Sequence, residues 1–151
     1  MSYESIQIEF SHEGNFCYVR IYDDIEEMRK DYKEFSPNDN GHELVDGVHC
    51  GYEIRNVFED GTEEVSREIG TVFLCKEKGN PMIVFHEMLH AVLWAYKFSS
   101  EKQQYPIVIN DMKDEEELLQ SFSYVVDQFM SKINFFEEKI QNEETRGKSF
   151  Y

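Results

Sequence analysis

Basic residues are scarce in this sequence: 15 lysines and arginines stand against 31 aspartates and glutamates, for a net charge of -16. A surface of that sign repels phosphate backbones, so direct nucleic-acid binding is not expected. Cysteine is equally sparse. Cys17, Cys50 and Cys75 are odd in number and widely spaced. They make neither a CxxC pair nor a disulfide framework, and are expected as buried free thiols in a reducing cytoplasm. No apolar run reaches the length of a membrane span, so no membrane partner is expected. The opening MSYESIQIEF has no basic stretch leading into an apolar one, so no secretory leader is expected. Internal repeats and low-complexity segments are missing too.

What is present is enough for a core. Hydrophobic residues make up 40% and aromatics 15% of 151 residues, which suits one folded domain rather than a disordered chain. The acidity has two readings. One is a solvated, soluble surface. The other is a field of carboxylates that mimics nucleic acid toward a basic protein partner. The only long run for such mimicry lies in the last helix, at Glu137, Glu138, Glu143 and Glu144.

Local patterns order the chain. Ile6, Ile8 and Phe10 alternate with polar residues and predict a short strand. After a turn at 12–15, Phe16 to Tyr22 predicts a second. Asp24 can cap a helix whose apolar stripe is Ile25, Met28, Tyr32 and Phe35. A loop follows at 36–41. Period two returns from Val48 to Phe58, and Asp60-Gly61 signals a hairpin whose partner runs from Thr62 to Arg67. Ile69 to Cys75 predicts a further strand. Asn80-Pro81 opens a helix reaching about Lys97. A polar loop and a short extended piece, Ile107 to Ile109, lead to a long helix from Asp111 or Asp114 to about Glu144. The expected fold is α+β, with a mixed or antiparallel sheet ahead of its two main helices. Residues 1–151 read as one domain: N-terminal strands and helix at 1–68, a strand and two helices at 69–144, and a tail at 145–151.

The chemistry concentrates in Met82 to Tyr96, MIVFHEMLHAVLWAY. Its strongly polar side chains are His86, Glu87 and His90. A helix this apolar is expected to be largely buried, and buried polar groups need partners. Helix geometry offers one, since positions i and i+4 lie one turn apart on one face. Two imidazoles so placed reach one metal ion, with Glu87 beside them. Zinc suits neutral imidazoles and an open position. It brings the pKa of a bound water down toward ~7, and the carboxylate can take that proton and later return it to a leaving amine. By chance, HExxH arises in a chain this long at roughly the one-per-cent level. The alternative is that the three side chains merely satisfy one another in the core.

A catalytic site needs a third protein ligand. Glu115, Glu116 and Glu117 open the last helix about 25 residues after His90, although acidic residues in a first turn also simply complement the helix dipole. The apolar face is expected at Leu118, Leu119, Phe122, Val126, Phe129 and Ile133. By that periodicity Glu115 lies nearest the face, Glu116 at its edge, and Glu117 away from it.

His86-Glu87-Met88-Leu89-His90 followed by an acidic helical motif resembles the gluzincin-like metallopeptidases, and within them the small ImmA/IrrE-type and phage-encoded HExxH proteins. The resemblance covers roughly residues 69–134 and is strong only in the two helices. It implies a small zincin-like domain, a zinc cofactor and a helical glutamate as third ligand. A polar residue four positions further on supports the site. Glu116 with Gln120 matches that spacing, with Gln where the family has Asp or Asn; Glu115 is the reserve. It also implies a strand ahead of the active helix, with substrate pairing on an exposed edge. The groove is accordingly expected from the Ile69 strand and the loop from Phe98 to Pro106. Tyr96, Tyr105 and His49 are conceivable stabilisers of a transition state, and each also has a structural reading. His12 and His42 read as solvated, and Trp94 as core.

Two functions compete beside mimicry. One is a cytoplasmic zinc peptidase that cleaves a protein or peptide substrate with Glu87 as general base. The other is a zincin-fold binding protein, in a phage or mobile-element setting, that engages a partner through its acidic surface without turnover.

Overall fold

The computed structural model describes residues 3–10, 14–39, 41, 44–98, 112–133 and 135. Strand β1 (Tyr3–Glu9) and strand β2 (Phe16–Tyr22) pair antiparallel across a turn whose Gly14 has φ 70°. Helix α1 (Ile25–Phe35) starts as expected, with the Asp24 carboxylate accepting the Glu26 N–H at 3.0 Å. Strand β3 (Gly47–Gly51) follows, then a small hairpin of β4 (Arg55–Val57) and β5 (Glu63–Val65), then β6 (Glu68–Cys75). Helix α2 (Pro81–Phe98) carries HExxH, and α3 (Met112–Lys132) completes the described order. The class is α+β with a mixed sheet.

The main sheet runs β1-β2-β6-β3. Strand β6 lies parallel to β2 and antiparallel to β3. Being central, it is buried on both faces, which explains why it reads as a continuous apolar run rather than an alternation. One face packs on α1 through Tyr22, Met28, Tyr32 and Phe73. The other carries the larger core, where Ile8, Val19, Val72 and Leu74 meet Val84, Met88 and Ala91 of α2 and Val125 and Phe129 of α3. No helix among the described residues is long and apolar enough to cross a membrane.

Four expectations need correction. The run Val48 to Phe58 is not one strand: after Tyr52 donates its N–H to the Ile69 carbonyl at 3.0 Å, the chain leaves the sheet. The hairpin expected at Asp60-Gly61 does form, as β4–β5 with Gly61 at φ 86° in its turn, and both its strands are exposed. The apolar face of α3 is rotated, because Val125 is buried where Leu119 is half exposed. Helix α3 ends at Lys132, with Ile133 outside it; the stretch expected to continue from 136 to 144 lies outside the described residues. The Ile69 strand is no edge either, so it offers no pairing groove.

The two sheet edges are treated differently. At β1, Gln128 of α3 accepts the Glu9 N–H at 2.8 Å and donates to the Glu9 carbonyl at 2.6 Å. Lys132 donates to the Gln7 carbonyl at 2.6 Å. These side chains occupy backbone groups that an edge strand otherwise presents to other chains. At β3, no strand among the described residues pairs with the outer edge.

Candidate metal centre

Asn80 sets the start of α2: its side-chain oxygen accepts the Ile83 N–H at 3.0 Å, and Pro81 takes the first helical position. The helix buries Val84, Met88, Ala91, Val92 and Ala95. It is not enclosed all round, however. His86 and His90 fall on an exposed stripe with Met82 and Leu89, and the His86 side chain is 65% exposed. Of the three motif residues only Glu87 is buried, at 9%. The expectation that all three are buried fails for the histidines, because the helix packs on the sheet by one side.

The two imidazoles nevertheless converge. Their Nε2 atoms stand 3.1 Å apart, with the rings edge to face and centroids 4.7 Å apart. Two nitrogens each ~2.05 Å from one tetrahedral zinc stand about 3.3 Å apart. The Nε2 pair therefore fits two positions of such an ion. The Glu87 carboxylate lies 4.0 Å from His86 Nε2. Burial raises the Glu87 pKa above the usual carboxylate range. His90, His86 and a hydrogen bond from the His49 backbone N–H draw it part of the way back.

Strand β3 carries a further histidine, His49, on the side of the sheet that α2 covers. Arg29 of α1 fixes the approach, donating through Nε to the Val45 carbonyl at 2.9 Å and through Nη2 to Asp46 at 3.1 Å. In β3, Val48 and Cys50 pack toward α1, which turns Gly47, His49 and Gly51 toward α2. The glycines are there for closeness. A Cβ on Gly47 would lie 2.9 Å from Ile83 and 3.4 Å from Glu87, and one on Gly51 would lie 2.7 Å from the Trp94 ring. Trp94 is pinned there by its Nε1–H, which donates to the Ile69 carbonyl at 2.7 Å.

Ile83, Glu87, His90 and Trp94 recur at the spacing of one helix face. With the ends of that ridge over Gly47 and Gly51, His90 falls level with His49. His49 Nε2 is enclosed and has no hydrogen-bond partner among the described residues. It lies over Gly70, where a Cβ would stand 3.1 Å from it. Burial and the nearby His90 push the His49 pKa down to about 4, so the ring is neutral. An enclosed nitrogen with no partner costs roughly 1–3 kcal/mol and asks for an explanation.

The expected third ligand is elsewhere. Glu116 is exposed, roughly opposite the buried face of α3, and accepts a hydrogen bond from Gln120 at 3.2 Å. That is the expected Glu116–Gln120 contact, but the structure does not bring it to the histidines. Glu115 is exposed as well. Among the described residues, no three His, Cys, Asp or Glu side chains converge on one point.

Cys17, Cys50 and Cys75 are free thiols, and Cys50 is only partly buried. Cys50 and Cys75 join the cluster beneath α1, on the far side of the sheet from the motif. Tyr96 is buried, while Trp94 is half-buried at the edge of the core. His12, His42, Tyr105, residues 99–111 and Glu137 to Glu144 lie outside the described residues.

Sequence reasoning weighed His49 only as a lone side chain. The signal that could have singled it out is the Gly-Val-His-Cys-Gly pattern, since glycines two residues either side of a histidine in a strand mark a close approach. Comparison with protein-family models, characterised proteins and solved structures returns no match.

Proposed function

We propose that this chain is a zinc-dependent peptidase with a small zincin-like fold, in which His86 and His90 hold the metal and Glu87 is the general base. The observation that carries this reading is the 3.1 Å separation of the two Nε2 atoms with a buried carboxylate beside them. Bound there, zinc supplies a Lewis acid that polarises a carbonyl and acidifies water. Glu87 does the proton work. Burial makes its carboxylate a stronger base than a solvated one, and its place beside the imidazoles lets it take a proton from attacking water and hand it to the leaving nitrogen. The outer edge of β3 is the natural seat for an extended peptide substrate, because it runs alongside α2 and offers backbone groups for pairing. Zinc analysis of untagged protein, with a cleavage assay on unstructured protein substrates, tests the reading. Stoichiometric zinc and cleavage that Glu87→Gln abolishes support it; full cleavage by Glu87→Gln overturns the mechanism.

A second reading, binding without turnover, draws on the β4–β5 hairpin. Val57 and Phe58 are 68% and 49% exposed among Glu53, Glu59, Asp60, Glu63 and Glu64, of which Glu53 and Glu63 are paired with Arg55. An apolar tip in an acidic setting suits a basic protein partner. Under that reading a His86→Ala, His90→Ala variant binds its partner normally, and Phe58→Glu does not.

A further inference from the structure

We propose that His49 is the third protein ligand of the zinc site, completing a three-imidazole set with His86 and His90; this rests on the zinc reading above. Strand β3 already touches the motif. Ile83 and Glu87 stand over Gly47 and Trp94 over Gly51, and His90, between Glu87 and Trp94 in sequence, is near enough to His49 to act on its charge. His49 is the one side chain of that strand that both faces α2 and can ligate a metal. Its Nε2 is enclosed and has no hydrogen-bond partner among the described residues. An enclosed imidazole nitrogen with no hydrogen-bond partner is free to ligate a metal.

In the present rotamer this nitrogen is turned to Gly70, and the three imidazoles do not converge. The assignment requires the His49 ring to turn about its side-chain torsions from Gly70 toward His90 when the metal binds. Glu116 is less well placed. It points outward from α3 and is engaged by Gln120. Three imidazoles leave one zinc position open, as a hydrolytic site requires, and add no negative charge. Glu87 then remains the lone carboxylate beside the metal, free to act as base rather than compete with a ligating glutamate.

Zinc affinity, measured by competition with a chromophoric chelator, separates the possibilities in wild type and in His49→Ala, His86→Ala and Glu116→Ala, each checked for fold by circular dichroism. The expected result is a loss of ~100-fold or more for His49→Ala and His86→Ala, with Glu116→Ala unchanged. Loss in Glu116→Ala with none in His49→Ala overturns the assignment and leaves the zinc reading standing. No zinc binding by wild type sinks both. Two measurements remain decisive if His49→Ala fails to fold. Cobalt-loaded His49→Cys gains a thiolate-to-cobalt charge-transfer band that wild type lacks; a folded variant without it counts against the proposal. X-ray absorption of the zinc-loaded wild type counts imidazoles directly: three agree with the assignment, and two refute it.

Discussion

Trp94 occupies the space that a side chain at Gly51 would need: a Cβ there would come within 2.7 Å of the indole. The same ring donates to the Ile69 carbonyl, which also accepts the Tyr52 N–H. One carbonyl of the central strand thus ties together α2 and the end of β3. The height of α2 above the sheet, and with it the place of the HExxH motif, is set at this joint.

Gly51→Ala is expected to destabilise the fold by about 1–3 kcal/mol, because neither the flat ring nor the strand can yield without loss of packing. Urea unfolding measures it. An unchanged midpoint would mean that the ring moves aside without cost.

Glu87→Gln is expected to keep zinc and lower cleavage by ~10²-fold or more, the range for removal of a positioned general base. The amide fills nearly the same volume and keeps the contact with Gly47, so stability should hold. Parallel metal analysis and rate measurement check both halves.

Alkali should weaken the fold through Cys17. Burial pushes its thiol from 9.0 up to about 12. The folded state therefore keeps a proton that the unfolded chain releases. The stability tied to this thiol is complete below pH 9 and is lost as pH rises from 9 toward 12, at up to about 1.4 kcal/mol per pH unit. Denaturation curves at pH 8, 9.5 and 10.5 for wild type and Cys17→Ala test this. The variant, weaker at pH 8 for lost packing, should show a shallower decline; parallel slopes would exclude Cys17 as the cause.

Gln128→Ala should destabilise by about 1 kcal/mol, the worth of exposed hydrogen bonds, and raise the tendency to associate by uncovering β1. Light scattering against concentration reads the second effect. Unaltered scattering would show that Gln128 is not what protects this edge.

Val57→Ser and Phe58→Ser, by contrast, should leave stability within about 0.5 kcal/mol of wild type, since both side chains are exposed. A larger loss in thermal unfolding would show that the hairpin packs on something.

Local signals were the legible ones. Phe16 to Tyr22, the Asp24 cap with its Ile25–Met28–Tyr32 stripe, and the Asn80-Pro81 start each depend on neighbours in sequence, and each forms where it was expected. What the pattern could not convey is which elements meet. Period two continues through Tyr52 toward Phe58, yet the chain leaves the sheet where Trp94, more than 40 positions later, covers Gly51. The Ile69 strand is central only because β2, far earlier in sequence, pairs beside it. The motif itself was plain, and the convergence of its Nε2 atoms follows from the i, i+4 spacing. The exposure of His86 and His90, and the arrival of His49 beneath the helix, depend on how α2 lies on β3, which no local pattern records.

The unequal edges of the sheet also limit how copies of this chain can assemble. Gln128 and Lys132 occupy the Gln7–Glu9 end of β1, so a full-length added strand finds its freer seat on the β3 side of the described sheet. Two copies joined there would consume both of their open sides at once. Growth through that side alone ends at a pair, and the pair would shut the same side against incoming chains.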